Sequence, residues 1–196
     1  MNTNMEWKMM KNSKGFTLLE ILVAVAVVAI LAGIGAIYVN QSLPVYRLRE
    51  ATRDMASTLQ QTRLEAIRRS NNSIVSFNVN VGGVVFDYLS FVDTNQDFIF
   101  NGGDIQLAAK QLADYRYVFW GKDPDGDGID DGIADPVGVA VNFANNGAGN
   151  PSIGFTNRGM SINPGGGLGL GTIQLENTQS RVRQVVVNAA GNVRIP

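Results

Sequence analysis

The chain has 196 residues, 22 glycines, no cysteine, no histidine and a formal net charge of −1. Without cysteine there is no disulfide framework. Without cysteine and histidine, zinc sites, His or Cys haem ligation, Cys nucleophiles and Ser-His-Asp triads all lack their essential residues. An enzyme built from this chain would have to work with carboxylates, lysine, tyrosine or a Ser-Lys pair, and the near-neutral charge gives no bulk attraction to nucleic acid.

The apolar residues are concentrated at the N-terminus. Phe16 to Val39 reads FTLLEILVAVAVVAILAGIGAIYV, with Glu20 as its single charge. At 1.5 Å of rise per helical residue, this run is long enough to cross a bilayer core of about 30 Å. Lys8, Lys11 and Lys14 precede it. Basic residues on a short N-terminal flank stay cytoplasmic, so the C-terminal bulk is expected on the far side. A secretory signal peptide carries its small-residue cleavage site after the apolar region. Here the order is reversed: Lys14-Gly15, followed by Phe16-Thr17-Leu18-Leu19-Glu20, comes first. A carboxylate within an apolar run is costly and calls for a partner, although a helix N-terminus also favours negative charge.

Residues 40–72 read as an extension of the same helix. Pro44 predicts a kink or a local break. Beyond it Leu48, Thr52, Met55, Leu59, Thr62 and Ala66 recur three or four residues apart, an amphipathic stripe that must pack on something. The opposite face carries Arg47, Arg49, Glu50, Arg53, Asp54, Arg63, Glu65, Arg68 and Arg69, which reads as a solvated surface with i,i+3 and i,i+4 pairs. The helix is predicted to end near Ser70-Asn71-Asn72.

From residue 73 the period changes to that of strands. Ser73–Val81 and Val84–Val92 flank Gly82-Gly83 and predict a hairpin. Further strands are predicted at Ile105–Leu112, Tyr115–Trp120, Val137–Phe143, Ser152–Phe155, Gly171–Glu176, Val182–Asn188 and Asn192–Ile195. Strands after one long helix, with no alternating helices, predict an α+β fold: a long N-terminal helix, membrane-spanning then amphipathic, packed on a C-terminal antiparallel β-sheet domain. The glycine-rich stretch from Pro164 to Gly171 lacks the Lys-Ser/Thr ending and following helix of a phosphate loop, and reads as a turn.

Two acidic loops have the oxygen-rich spacing that hard cations take. Asp93, Asn95, Asp97 and Asp104 fall at positions 1, 3, 5 and 12 of a calcium-type loop, but Phe98 stands where such a loop needs glycine. Asp123, Asp125, Asp127 and Asp131 crowd carboxylates around a tight Gly-rich turn, closer to the acidic calcium loops of extracellular repeats. Calcium is the expected ligand if either loop binds one; no cofactor is required. Neighbouring Asp130 and Asp131 lack the burial that would set an acid/base pair apart, so no catalytic residue is assigned.

The order of basic flank, Gly15, Phe16, Glu20 and apolar helix resembles the signal of type IV pilins and type II secretion pseudopilins. That resemblance implies a leader at 1–15, cleavage by a prepilin peptidase between Gly15 and Phe16, N-methylation of Phe16, a transmembrane helix at 16–39, an amphipathic extension at 40–72 and a periplasmic β-rich domain at 73–196. Glu20, the fifth mature residue, would then pair with the N-terminal amine of a neighbouring subunit. Leu64-Glu65-Ala66-Ile67-Arg68-Arg69, Ile153-Gly154-Phe155-Thr156-Asn157-Arg158-Gly159 and Val185-Val186-Val187-Asn188 leading to Gly191-Asn192-Val193-Arg194 resemble the H-type minor pseudopilins and FimT-type minor pilins.

The implied function is a minor pseudopilin of a type II secretion pseudopilus: a non-enzymatic, single-pass inner-membrane subunit, N-terminus cytoplasmic and β-domain periplasmic. Its partners would be other pilins, the prepilin peptidase, the inner membrane and a secreted protein. The alternative is a FimT-like minor pilin that works in pilus biogenesis or DNA uptake. That subfamily is associated with a Gly-Arg-x-Arg motif, of which Arg194 is present while Asn192 replaces the first Arg; Arg181 and Arg183 would serve DNA only if the fold brought them beside Arg194. A membrane-anchored enzyme is the third reading, without a motif to support it.

Overall fold

The computed structural model describes residues 15–121 and 140–196. The chain divides into two units, Met1–Gln41 and Ser42–Pro196. One helix, α1 (Leu18–Arg69), runs through Pro44 without interruption, so the break expected there does not occur. A proline removes one i−4 hydrogen bond, and the intact turns on either side hold the helix through it. At the other end Ser70 takes φ 53°, with Ser70 N–H donating to the Ile67 carbonyl at 3.3 Å and Asn71 N–H to that of Ala66 at 3.2 Å. This pair of bonds satisfies the last carbonyls of the helix and turns the chain sharply into the sheet.

Among the described residues all strand pairings are antiparallel. The first sheet has the order β3-β2-β1-β5-β6, from β1 (Ser73–Val81), β2 (Val84–Val92), β3 (Ile105–Lys110), β5 (Ser152–Phe155) and β6 (Ser161–Ile162). The second has the order β4-β7-β8-β9, from β4 (Val118–Trp120), β7 (Gly171–Asn177), β8 (Val182–Val187) and β9 (Val193–Arg194). The β1–β2 hairpin matches its predicted bounds, Val81 pairing with Val84 across Gly82 and Gly83, both at positive φ. Elsewhere the ends differ for local reasons. The strand expected over Ile105–Leu112 stops at Lys110, because the Leu112 N–H bonds the Asp87 carboxylate at 2.7 Å and opens a single 3-10 turn, η1 (Leu112–Asp114). The strand expected from Tyr115 begins at Val118, because Tyr117 is left-handed at φ 75°. Of the strand expected over Val137–Phe143, residues 137–139 lie outside the described residues, while Val141 bridges Ile173 of β7.

The predicted stripe of α1 is the spine of the main core. Leu48, Ala51, Met55, Leu59 and Ala66 are buried with Val75, Phe77, Tyr88, Ile153 and Phe155 of the first sheet and Ile173, Leu175, Val185 and Val187 of the second. The two threonines of the stripe are buried by bonding out their hydroxyls: Thr52 donates to the Leu48 carbonyl at 2.6 Å, and Thr62 meets both the Thr58 carbonyl and Ser90 at 2.7 Å. A second, smaller core forms on the outer face of the first sheet from Ile74, Leu89, Phe91 and Phe98.

Candidate assembly site

The N-terminal segment is built around its first helical turn. Thr17 precedes α1, and its Oγ1 accepts the Glu20 N–H at 3.2 Å. Thr17-Leu18-Leu19-Glu20 is thus a helix N-cap with an acidic residue three places on, a signal present in the sequence but overlooked in favour of the charge alone. Gly15 and Phe16 lie exposed ahead of the helix, Phe16 at 77%. Among the described residues Glu20 has no cationic partner, and its carboxylate is exposed. The apolar run behind it has 0% of its most hydrophobic window buried, so its side chains are left for lipid or for other helices.

Within Ser42–Pro196, α1 is tied to the sheets by polar contacts that the hydrophobic pattern does not report. Asp54 accepts the Tyr115 hydroxyl at 2.5 Å and the Tyr88 hydroxyl at 3.2 Å on one oxygen, with Lys110 Nζ 3.3 Å from the same atom. Burial works against this carboxylate, but the bond from Tyr115, the charge and bond of Lys110 and the bond from Tyr88 outweigh it and hold its pKa below the usual carboxylate value. Burial, and then the Asp54 charge and bonds, push both phenols above their ordinary value. Asp87 does the same for the η1–β4 segment, accepting the Leu112 N–H and, at 3.0 Å, the Trp120 indole N–H.

Arg63 joins the two sheets. Its Nε donates to the Gly159 carbonyl at 2.7 Å and its Nη2 to the Ala190 carbonyl at 3.4 Å. These carbonyls belong to the β5–β6 and β8–β9 turns, where Gly159 and Gly191 both take φ 75°. A methyl group on Gly191 would run into the Gly159 carbonyl oxygen. The stretches ending at Gly159 and beginning at Gly191, read in the sequence as separate features, are therefore two halves of one joint closed by a helical arginine.

The two acidic loops have different outcomes. Asp123, Asp125, Asp127 and Asp131 lie outside the described residues. In the first loop the Asp93 carboxylate accepts the backbone N–H groups of Gln96 at 2.8 Å, Phe98 at 3.1 Å and Asp97 at 3.3 Å. Burial pushes Asp93 above the usual carboxylate value, with these bonds drawing it back. Asp104 accepts the Thr94 and Asn101 N–H groups at 2.9 and 3.0 Å, while Asn95 and Asn101 donate to Asp97 at 2.8 and 2.9 Å. Phe98 takes φ 62°, the conformation a glycine would supply, and places its ring in the outer core. The calcium-type spacing is realised as a self-bonded turn that folds an aromatic side chain onto the sheet. Among the described residues no group of three acidic, His or Cys side chains is placed to hold a metal ion.

The three C-terminal arginines are not brought to one face. Arg183 pairs with Leu175 and shares its face of β8 with buried Val185 and Val187. Arg194 pairs with Val186 and belongs to the opposite face. Arg181 lies in the β7–β8 turn, its carbonyl accepting the Asn177 N–H at 3.1 Å.

Family models match both the N-terminal segment and the domain that follows it. Residues 10–36 match the prokaryotic N-terminal methylation motif, which spans the Gly15–Phe16 junction, Thr17 and Glu20. Residues 51–191 match the type II transport protein GspH family, from the core half of α1 to Gly191 of the arginine joint. No curated protein and no solved structure matches the chain. The second match covers well over half of the 196 residues and the first carries the processing signal. The chain belongs to the GspH family and is a type II secretion pseudopilin or pilin-like protein.

Proposed function

We propose that this chain is a minor pseudopilin of a type II secretion pseudopilus. The prepilin peptidase cuts between Gly15 and Phe16 and methylates Phe16. The segment 16–39 holds the subunit in the inner membrane, with the leader in the cytoplasm and residues 42–196 in the periplasm. On assembly Glu20 receives the N-terminal amine of a neighbouring subunit, and the β-domain meets other pseudopilins or the exported protein. The observation that carries this reading is the exposed apolar helix whose single carboxylate, in a capped first turn, has no cationic partner among the described residues, joined to a domain that has its own core. Deleting the gene is expected to leave a secreted substrate in the periplasm while surface pili remain. Loss of pili with intact secretion would overturn the assignment in favour of a pilus subunit.

A further inference from the structure

Within Ser42–Pro196, the face of α1 turned away from the sheets carries a feature that the core does not use. Leu48, Ala51, Met55 and Leu59 are buried in the core. Off that stripe Tyr46, Arg49, Glu50, Arg53, Asp54 and Ser57, spaced three or four residues apart, line one open groove. All six belong to α1, so the groove follows the helix axis for about 16 Å. Tyr46 is 63% exposed at its head. The two carboxylates of the groove are already engaged, Glu50 by Arg47 at 2.8 Å and Asp54 by Lys110, Tyr88 and Tyr115. Arg49 and Arg53, one turn apart, are exposed and have no carboxylate partner among the described residues. The charges of the patch are Arg47, Arg49, Arg53 and Lys110 against Glu50 and Asp54, a local excess of +2.

We propose that this groove takes an acidic segment of a neighbouring subunit, with Arg49 and Arg53 each closing on a carboxylate and Tyr46 packing beside them. Charge complementarity sets the sign of the occupant. Because Glu50 and Asp54 are satisfied inside the chain, the guanidinium donors of Arg49 and Arg53 are left for acceptors that a partner brings. A planar guanidinium bonds a carboxylate in bidentate fashion. Two of them one turn apart, a rise of about 6 Å, match two carboxylates at the same spacing on a segment laid along α1. Tyrosine and arginine are also the residue types that carry most of the binding energy when an interface buries them. The docking rests on the reading of this chain as a subunit that assembles with other pilins.

The test replaces Tyr46 of the full chain with a photoreactive phenylalanine analogue in assembling cells, and maps the cross-linked peptides by mass spectrometry. The expected product joins position 46 to a segment of a neighbouring subunit that carries two carboxylates within one helical turn. Its yield is expected to fall about tenfold in the exposed-surface variant Arg49→Gln/Arg53→Gln, as two charge-assisted contacts are lost. A yield unchanged in that variant, a cross-linked segment without carboxylates, or cross-links to lipid or nucleic acid in place of protein overturns the proposal. The same photoreactive residue at Leu22, in the apolar run, reports assembly by itself. Cross-links from Leu22 to other subunits with none from position 46 defeat the docking alone. If neither position cross-links to another subunit, the assembly reading fails and the docking with it.

Discussion

Arg63 and Gly159, 96 residues apart in sequence, meet at 2.7 Å through a guanidinium N–H and a backbone carbonyl. This contact sets the end of the first sheet against the end of the second, because the same guanidinium also reaches Ala190 in the turn before Gly191. Gly191→Ala brings two costs together, a left-handed backbone and a methyl group against the Gly159 oxygen. A loss of about 2–4 kcal/mol is expected, read as a lowered midpoint in thermal or urea unfolding of the full chain in detergent. Gly166→Ala is the control. Gly166 has φ 78° but open space around its Cβ position, so only the backbone strain remains, about 1 kcal/mol. Equal losses at the two sites would refute the joint.

The Asp54 cluster predicts a stability profile limited on both sides. The carboxylate pKa is lowered on folding, so its contribution is present at neutral pH and is lost as pH falls below the ordinary Asp value of 3.8. The phenol pKa values of Tyr88 and Tyr115 are raised on folding, so their contribution is intact below the ordinary value of 10.0 and is lost as pH rises beyond it. Asp54→Asn is expected to flatten the acid limb, and Tyr88→Phe with Tyr115→Phe the alkaline limb, in unfolding midpoints measured against pH. An unchanged acid limb in Asp54→Asn would mean that other carboxylates control it.

The Asp93 turn holds Phe98 against Ile74, Leu89 and Phe91. Asp93→Ala strips the acceptor from three backbone N–H groups and is expected to cost about 1–3 kcal/mol. Phe98→Ala removes the ring from the outer core and is expected to cost about 3 kcal/mol. Because protein donors already occupy these carboxylates, the difference between wild type and Phe98→Ala is expected to be the same with and without a calcium chelator. A chelator that erased the difference would show that this turn needs a cation.

Glu20→Ala is expected to leave cleavage after Gly15 and methylation of Phe16 intact, as read by mass spectrometry of the mature chain, while abolishing co-purification with partner pseudopilins. Thr17→Ala separates capping from charge. It loses the 3.2 Å bond to the Glu20 N–H and about 1 kcal/mol of helix stability, but keeps the carboxylate, so assembly should persist. Normal incorporation of Glu20→Ala would overturn the assembly role.

The hairpin, the helix end and the inward stripe were legible because each follows from spacing: Gly82-Gly83 between two runs of strand period, Ser70-Asn71-Asn72 after the last apolar contact, and Leu48 to Ala66 at helical intervals. The rest depended on contacts distant in sequence. Nothing near Arg63 shows that it will hold two turns from different sheets, and nothing near Asp54 shows that two tyrosines and a lysine will converge on it. Charge count placed both on a solvated face. Spacing alone left the acidic loop at Asp93 open between a calcium loop and a self-bonded turn, because both use the same carboxylate spacing and differ in which donors reach the oxygens.

The two described ends around residues 122–139 sit on adjacent positions of β7. The Gly121 N–H bonds the Gln174 carbonyl at 2.8 Å, and Val141 bridges Ile173. Chain leaving at Gly121 and chain arriving at Val141 stand one rung apart along the same strand, so the edge line begun by β4 is resumed at Val141. With both ends fixed by main-chain pairing to β7, the span to be closed is short and set by the sheet, and the entropy of closing it grows only slowly with the number of residues between. The junction between Gly121 and Val141 is also a position for a tag that in sequence lies outside both the N-terminal helix and the residues of the arginine joint.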